Sequence, residues 1–219
     1  MSVVVIGGNS RSVGKTSVVA GIIAALPEFA WTALKITQFG HGICSANGKT
    51  CRCDTSQDAC LPISRERDLS GNSDTSRFLA AGAVCSLWVR TRQGCLGEIM
   101  PEIRRRIAGS KNAIIESNSV IRWLVPDLYL TVLDPTIEDF KESAREFLGC
   151  AQGIILHRAD EQLRWKTLVM DALAAKPIFP ISPPPYVTNE IVEWVRAWLA
   201  RRSQGRLRVT GSASATTKE

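Results

Sequence analysis

Residues Val3-Val4-Val5-Ile6-Gly7-Gly8-Asn9-Ser10-Arg11-Ser12-Val13-Gly14-Lys15-Thr16 open the chain and set its architecture. Val3 to Ile6 is a short, unbroken apolar run rich in β-branched residues, the pattern of a strand buried on both faces. Thr16 to Leu26 follows as an apolar helix stopped before Pro27, because the residue before a proline is pushed out of helical backbone. Between them lies a polar loop carrying glycines. Strand, loop and helix in this order are the first unit of a parallel α/β sheet.

The same rhythm continues downstream. Apolar runs at Trp31 to Ile36, Asn112 to Glu116, Leu128 to Leu133, Gly153 to Leu156 and Pro177 to Ile181 read as further strands. Helical patterns fall between them at 74–84, 96–108, 136–149, 160–175 and 189–202, with Ser73 or Asp74 and Asn189 placed to cap two of them. The fold class expected is α/β, a doubly wound and mostly parallel sheet. One domain is expected over 1–202, with a Cys-rich insertion at 38–73 that is longer than an ordinary connection. The polar stretch 203–219 is expected to be a disordered tail.

Composition narrows the class. A chain of 219 residues with 45% hydrophobic and 22% charged residues excludes a collagen, a coiled coil and a mostly disordered chain. No apolar run reaches the roughly 18 to 20 residues of a membrane crossing, and the first residues lack a basic segment and an export-signal core. Seven cysteines are an odd number, and four of them crowd into 44–60, so reduced thiols in a cytoplasmic protein are expected rather than a disulfide framework. The net charge of +6 is spread along the chain without aromatic interleaving, which argues against nucleic acid as a partner.

The loop carries the chemistry. A polyphosphate needs several donors converging at close range, and a glycine-bearing loop feeding a helix start supplies backbone N–H groups and the positive end of the helix dipole. The expected ligands are Gly8, Asn9, Ser10, Arg11, Ser12, Val13, Gly14, Lys15, Thr16 and Ser17. Lys15 would neutralise the terminal phosphates and the Thr16 hydroxyl would hold magnesium. The ordinary spacing is G-x-x-x-x-G-K-[ST]; here Asn9 takes the first glycine's place and Gly8 stands one residue earlier, so the loop is one residue longer. Glu116, at the carboxyl end of an apolar strand, is the second magnesium anchor expected, with Asp74 and Asp54 as further acids.

Two other groups are candidates. In Ile154-Ile155-Leu156-His157-Arg158-Ala159-Asp160, an acid stands where guanine-specific proteins carry N-K-x-D; Asp160 either pairs with the N1 and N2 donors of guanine or caps the helix that follows. His41, Cys44, Cys51, Cys53 and Cys60 form H-x-x-C-x(6)-C-x-C-x(6)-C. Thiolates and an imidazole suit zinc, although no C-x-x-C pair is present, and free thiols or a redox pair stay open. Cys85, Cys95 and Cys150 are expected to pack in helices or loops.

These motifs resemble known families. The loop with Val13 before Gly14-Lys15-Thr16, together with Leu34-Lys35-Ile36-Thr37-Gln38-Phe39-Gly40, is similar to the dethiobiotin synthetase branch of the P-loop NTPases. That resemblance implies a catalytic Lys35 beside Lys15 and an ATP-dependent ligase or kinase acting on a small carboxylate. Arg67 to Ala83, containing Asp74-Thr75-Ser76 and Ala81-Gly82-Ala83, resembles the molybdopterin-guanine dinucleotide biosynthesis protein B family. It implies GTP, magnesium and an accessory GTPase role in cofactor biosynthesis alongside a partner protein. A zinc-containing nucleotide-binding module without turnover is a third expectation, and a homodimer is expected by analogy alone.

Overall fold

The computed structural model describes residues 1–39, 62–158 and 176–211, with 203–211 as helix backbone only. The first strand, β1 (Ser2–Gly8), is buried along its whole length. It leads through the polar loop into α1 (Lys15–Ala25) and then β2 (Trp31–Phe39). A short strand β3 (Ile63–Arg65), helix α2 (Asp74–Ala80) and strand β4 (Cys85–Arg92) follow. Next come α3 (Leu96–Ala108), β5 (Asn112–Glu116) and β6 (Leu128–Leu133). Helix α4 (Glu142–Phe147), strands β7 (Gly153–His157) and β8 (Ile178–Ile181) and helix α5 (Asn189–Gly211) complete the described chain.

All eight strands form one sheet in the order β3-β4-β2-β5-β1-β6-β7-β8. Every pairing is parallel except that of β3 with β4. Alternation along β1 sends Val4 and Ile6 into the core under α1 and α5, with Val18, Ile22, Ile191 and Val195. Val3 and Val5 point the opposite way, into the core under α3, with Ile103, Ile107 and Tyr129. Burial on both faces is why β1 and β6 read as unbroken apolar runs. β5 lies between β1 and β2, so the chain leaves β1 toward one edge and returns on its other side at β6. That reversal of strand order opens a crevice at the carboxyl ends of the strands, over the loop that follows β1.

All six expected strands are present, each within a few residues of its expected span. The sequence reading missed two. β4 falls in the stretch between the helices expected at 74–84 and 96–108; the first of these ends early, at Ala80, and Gly82 turns the chain with φ +103°. Cys85, expected in a helix or loop, therefore opens a strand, while Cys95 is the N-cap residue of α3. The helix expected at 136–149 is α4 with a 3₁₀ turn at Leu148–Cys150. α5 continues nine residues past 202. Its sequence holds no proline, and each further helical residue gains a hydrogen bond once the helix is nucleated. The expected helix at 160–175 lies outside the described residues. Among those described, no helix is long and apolar enough to cross a membrane.

The end of β1 is packed so tightly that only glycine fits. A Cβ on Gly7 would lie 2.2 Å from Asn118 Oδ1 and 2.5 Å from the Tyr129 hydroxyl. Asn118 cannot yield freely, since its side chain accepts from Gly8 N at 2.8 Å and donates to Gly8 O at 2.9 Å. Gly7→Ala should therefore cost on the order of 2–4 kcal/mol through overpacking and lost hydrogen bonds. Urea unfolding measures it, and an unchanged midpoint would contradict this packing.

Candidate functional site

The loop from Gly8 to Thr16 sits over the crevice with its backbone held open by two left-handed residues, Ser12 at φ +58° and Gly14 at φ +91°. Alternation of right- and left-handed backbone turns successive N–H groups toward one concavity, the geometry that receives anions. Gly14 is required twice over, because a Cβ there would also lie 2.1 Å from Tyr186 Cε1. Immediately after it, α1 starts at Lys15, and no side chain of the N-cap residue occupies its first turn, an end that attracts anions. The Lys15 ammonium folds back over the loop and donates to Ser10 O at 2.5 Å. Burial is the main cause that brings the Lys15 pKa down to about 8, with the Glu116 carboxylate opposing the shift and the Lys141 and Lys35 charges adding to it.

Beside the loop, three oxygen-bearing side chains converge. The Thr16 hydroxyl donates to Glu116 Oε2 at 2.8 Å. The Lys35 ammonium bonds Glu116 Oε1 and stands 3.0 Å from Asp74 Oδ2. Register brings these groups together, because Glu116 pairs with Ile6 of β1 on one side and with Lys35 of β2 on the other. Burial opposes charge on Lys35, yet the Glu116 and Asp74 carboxylates outweigh it and hold the lysine's pKa above its ordinary value. Burial likewise opposes charge on Asp74, and the Lys35 ammonium with a Thr16 hydrogen bond keeps that carboxyl below the usual range. One hydroxyl and two carboxylates form a hard-oxygen donor set of the kind magnesium takes, with a lysine cation between the carboxylates.

Asp74 is put in place by the start of α2. Ser73 is its N-cap and exchanges bonds with Ser76 in a capping box. Glu66 anchors the same turn by accepting from Thr75 Oγ1 at 2.6 Å, and that bond is the first cause of a Glu66 pKa near 2. Arg77, one turn on, donates to the Ser17 hydroxyl at 3.0 Å and ties α2 to α1.

The remaining sides of the loop are braced from β6 and β7. The Asn9 side chain accepts from Asp134 N at 3.0 Å and donates to the carbonyls of Asp134 and Asp139, both at 3.4 Å. Ser10 Oγ donates to Asp139 Oδ2 at 2.6 Å, and Lys141 N donates to Asn9 O at 2.8 Å. These contacts bring Lys141 beside the cradle, where burial, followed by the Arg11 charge, lowers its pKa. At the end of β7, His157 Nε2 lies 3.0 Å from Val13 O, so that nitrogen carries the proton it donates. Its Nδ1 lies 3.6 Å from Asp134 Oδ2, and its ring meets Tyr186 edge-on at 5.9 Å.

No known family profile matches the sequence, and no curated protein matches it. Solved structures share its architecture. HypB from Helicobacter pylori, in complex with nickel, matches with a TM-score of 0.51 at 14% identity, over 94% of this chain and 88% of that one. That match shows a shared fold, a mostly parallel sheet between helices. LpxK from Aquifex aeolicus, in complex with ATP, matches at TM-score 0.46 and 15% identity over 82% of this chain and 53% of that one. MobB from Bacillus subtilis matches at 0.40 and 16% over 90% and 98%.

Within this fold, the expected residues Gly8 to Ser17, Lys35 and Glu116 lie around one crevice, and Asp74 joins them. His41, Cys44, Cys51, Cys53, Cys60 and Asp54 lie outside the described residues, as does Asp160. Among the described residues, no group of three or more His, Cys, Asp or Glu side chains is placed to hold a metal ion. The bracing roles of Asn118, Asp134, Asp139, Lys141 and His157 were missed in sequence. Only His157 carried a signal, its place at the head of the segment compared with N-K-x-D.

Asn9 occupies a glycine position yet is fully buried and uses both ends of its amide. Restoring the ordinary pattern with Asn9→Gly should thus destabilise the fold by about 1–2 kcal/mol, since the half-buried Asp134 N–H loses its acceptor. Chemical denaturation reads the change, and equal stability of the two proteins would remove Asn9 from its bracing role.

Proposed function

We propose that the chain binds a nucleoside triphosphate with magnesium and hydrolyses or transfers its terminal phosphate. The observation that carries this reading is the contact of the Thr16 hydroxyl with Glu116 at the end of a loop that turns through two left-handed residues into a helix start. Gly8 to Ser17 would wrap the phosphates, with Lys15 as the counter-charge and Lys141 and Arg11 adding positive field from the sides. Thr16 and Glu116, joined by Asp74, would hold magnesium, which when bound supplies charge neutralisation at the phosphate oxygens. Catalysis in such a site rests on positioning and electrostatics, and the chain's contribution is a cradle held in shape before the ligand arrives.

The resemblance to the molybdopterin-guanine dinucleotide protein B family supports GTP, read by Asp160, and an accessory GTPase role in cofactor biosynthesis with a partner protein. A second reading is favoured by Lys35, a cation at the metal end of the crevice: ATP-dependent phosphorylation of a small carboxylate, with Lys35 as a catalytic residue beside Lys15. Base preference separates the two. A cytoplasmic setting, a homodimer and zinc held by His41, Cys44, Cys51, Cys53 and Cys60 complete the proposal.

Calorimetry with magnesium should show GTP binding more tightly than ATP. Lys15→Ala should weaken binding on the order of 10–100-fold, the scale of one or more charge-assisted hydrogen bonds. A wild-type chain that binds neither nucleotide would falsify the reading, and preference for ATP would favour the kinase alternative. For the thiols, elemental analysis of the purified protein should return about one zinc per chain; a metal-free result makes them ordinary cysteines.

A further inference from the structure

The Lys35 ammonium lies between two carboxylates that also converge with the Thr16 hydroxyl. Glu116 is 2% exposed and Asp74 is 45% exposed, and Lys35 touches both while its own side chain is 16% exposed. Glu116 meets the Thr16 hydroxyl through its other oxygen, so both of its oxygens are engaged. A buried carboxylate needs a compensating charge, and this chain supplies one from the neighbouring strand at the register position opposite Glu116.

We propose that Lys35 is a tethered counter-ion occupying the magnesium subsite, exchanged for the divalent ion only when nucleotide delivers the phosphate oxygens that receive the displaced ammonium. The inference deepens the nucleotide-binding reading and rests on it. An ammonium and a divalent ion cannot share one carboxylate pair without strong repulsion, so the lysine excludes free metal. A triphosphate changes that balance in two ways. It brings anionic oxygens that pair with the lysine, and it adds ligands that a hard divalent ion prefers. Magnesium thus enters as the nucleotide complex, and the chain without nucleotide keeps its buried acid neutralised.

The test uses the full chain without nucleotide, comparing wild type, Lys35→Met and the double variant Lys35→Met/Glu116→Gln. Two measurements apply: manganese binding by electron paramagnetic resonance, and the thermal midpoint as magnesium is added at constant ionic strength. Wild type should bind manganese weakly and show no magnesium-dependent midpoint. Lys35→Met should bind manganese at least about tenfold tighter, since removing one repelling charge in a partly buried site is worth more than the 1.4 kcal/mol that a factor of ten represents. Its midpoint should rise with magnesium, and the double variant should lose both effects. A Lys35→Met chain that unfolds in chelator and refolds on adding magnesium supports the proposal in its strongest form.

Three results overturn it. These are Lys35→Met binding manganese no tighter than wild type, Lys35→Met staying unfolded at saturating magnesium, and a magnesium response that survives in the double variant. Because these titrations contain no nucleotide, their failure leaves the Lys15→Ala calorimetry untouched. A chain that fails to bind nucleotide can equally still show tighter manganese binding in Lys35→Met.

Discussion

A carboxylate sealed in the middle of a parallel sheet has to be compensated, and Glu116 imposes that requirement on everything around it. Moving such a charge out of water costs several kcal/mol even after relaxation. The compensation comes from both neighbouring strands. Glu116 is in register with Ile6, the last large residue of β1 before the phosphate loop, and with Lys35 of β2. The Ser117 N–H, one residue on, donates to Ile6 O at 3.1 Å and keeps the strand ends level. Inserting β5 between β1 and β2 is therefore what brings a threonine from the loop and a lysine from the next strand onto one acid. Asp74 reaches the same lysine only because the Ser73 capping box fixes where α2 begins.

The loop itself shows how a run of polar residues is kept in shape. Left to itself, such a run has backbone freedom that would blur the alignment of its N–H groups. Contacts from several elements remove that freedom. Asn118 after β5 grips Gly8 at both its N–H and its carbonyl, and the segment after β6 grips Asn9 and Ser10. Tyr186 packs against Gly14 from before α5. Ordering the loop in the free chain means that less conformational entropy is lost when a ligand binds. The substitution of Asn9 for glycine belongs to this scheme, since an amide with a donor and an acceptor can join two strand ends where a glycine can join none.

Much of this was legible in the chain, and the misses have physical causes. Strand, loop and helix at residues 3–26 carry their own periodicity and breakers, so the cradle, Lys15 and Thr16 could be read directly. Glu116 was readable because an acid ending an apolar run has few other places to go in a parallel sheet. β4 was missed because Ser86, Arg90 and Arg92 interrupt its apolar residues, so it lacks the unbroken run that marks the central strands. Its alternating Leu87, Val89 and Thr91, buried on one face, gave the strand away only after β2 was beside it. Asp134, Asp139 and Lys141 had no spacing signal at all. They meet Asn9 and Ser10 across more than 120 residues, and only the pairing of β1 with β6 brings them there.

His157 shows how one strand end can serve two tasks with separate residues. In the segment compared with N-K-x-D, the first residue turns back to the glycine-bearing loop, while the acid three residues on is the proposed reader of the base. His157 braces the loop through Nε2–H and the Val13 carbonyl. The ring adds something an asparagine lacks. Its second nitrogen faces Asp134, whose backbone N–H is already tied to Asn9, which links the brace from β7 to the brace from β6. Among the described residues, the loop is thereby tied to the carboxyl ends of both β6 and β7, so its shape depends on how those two strands pair.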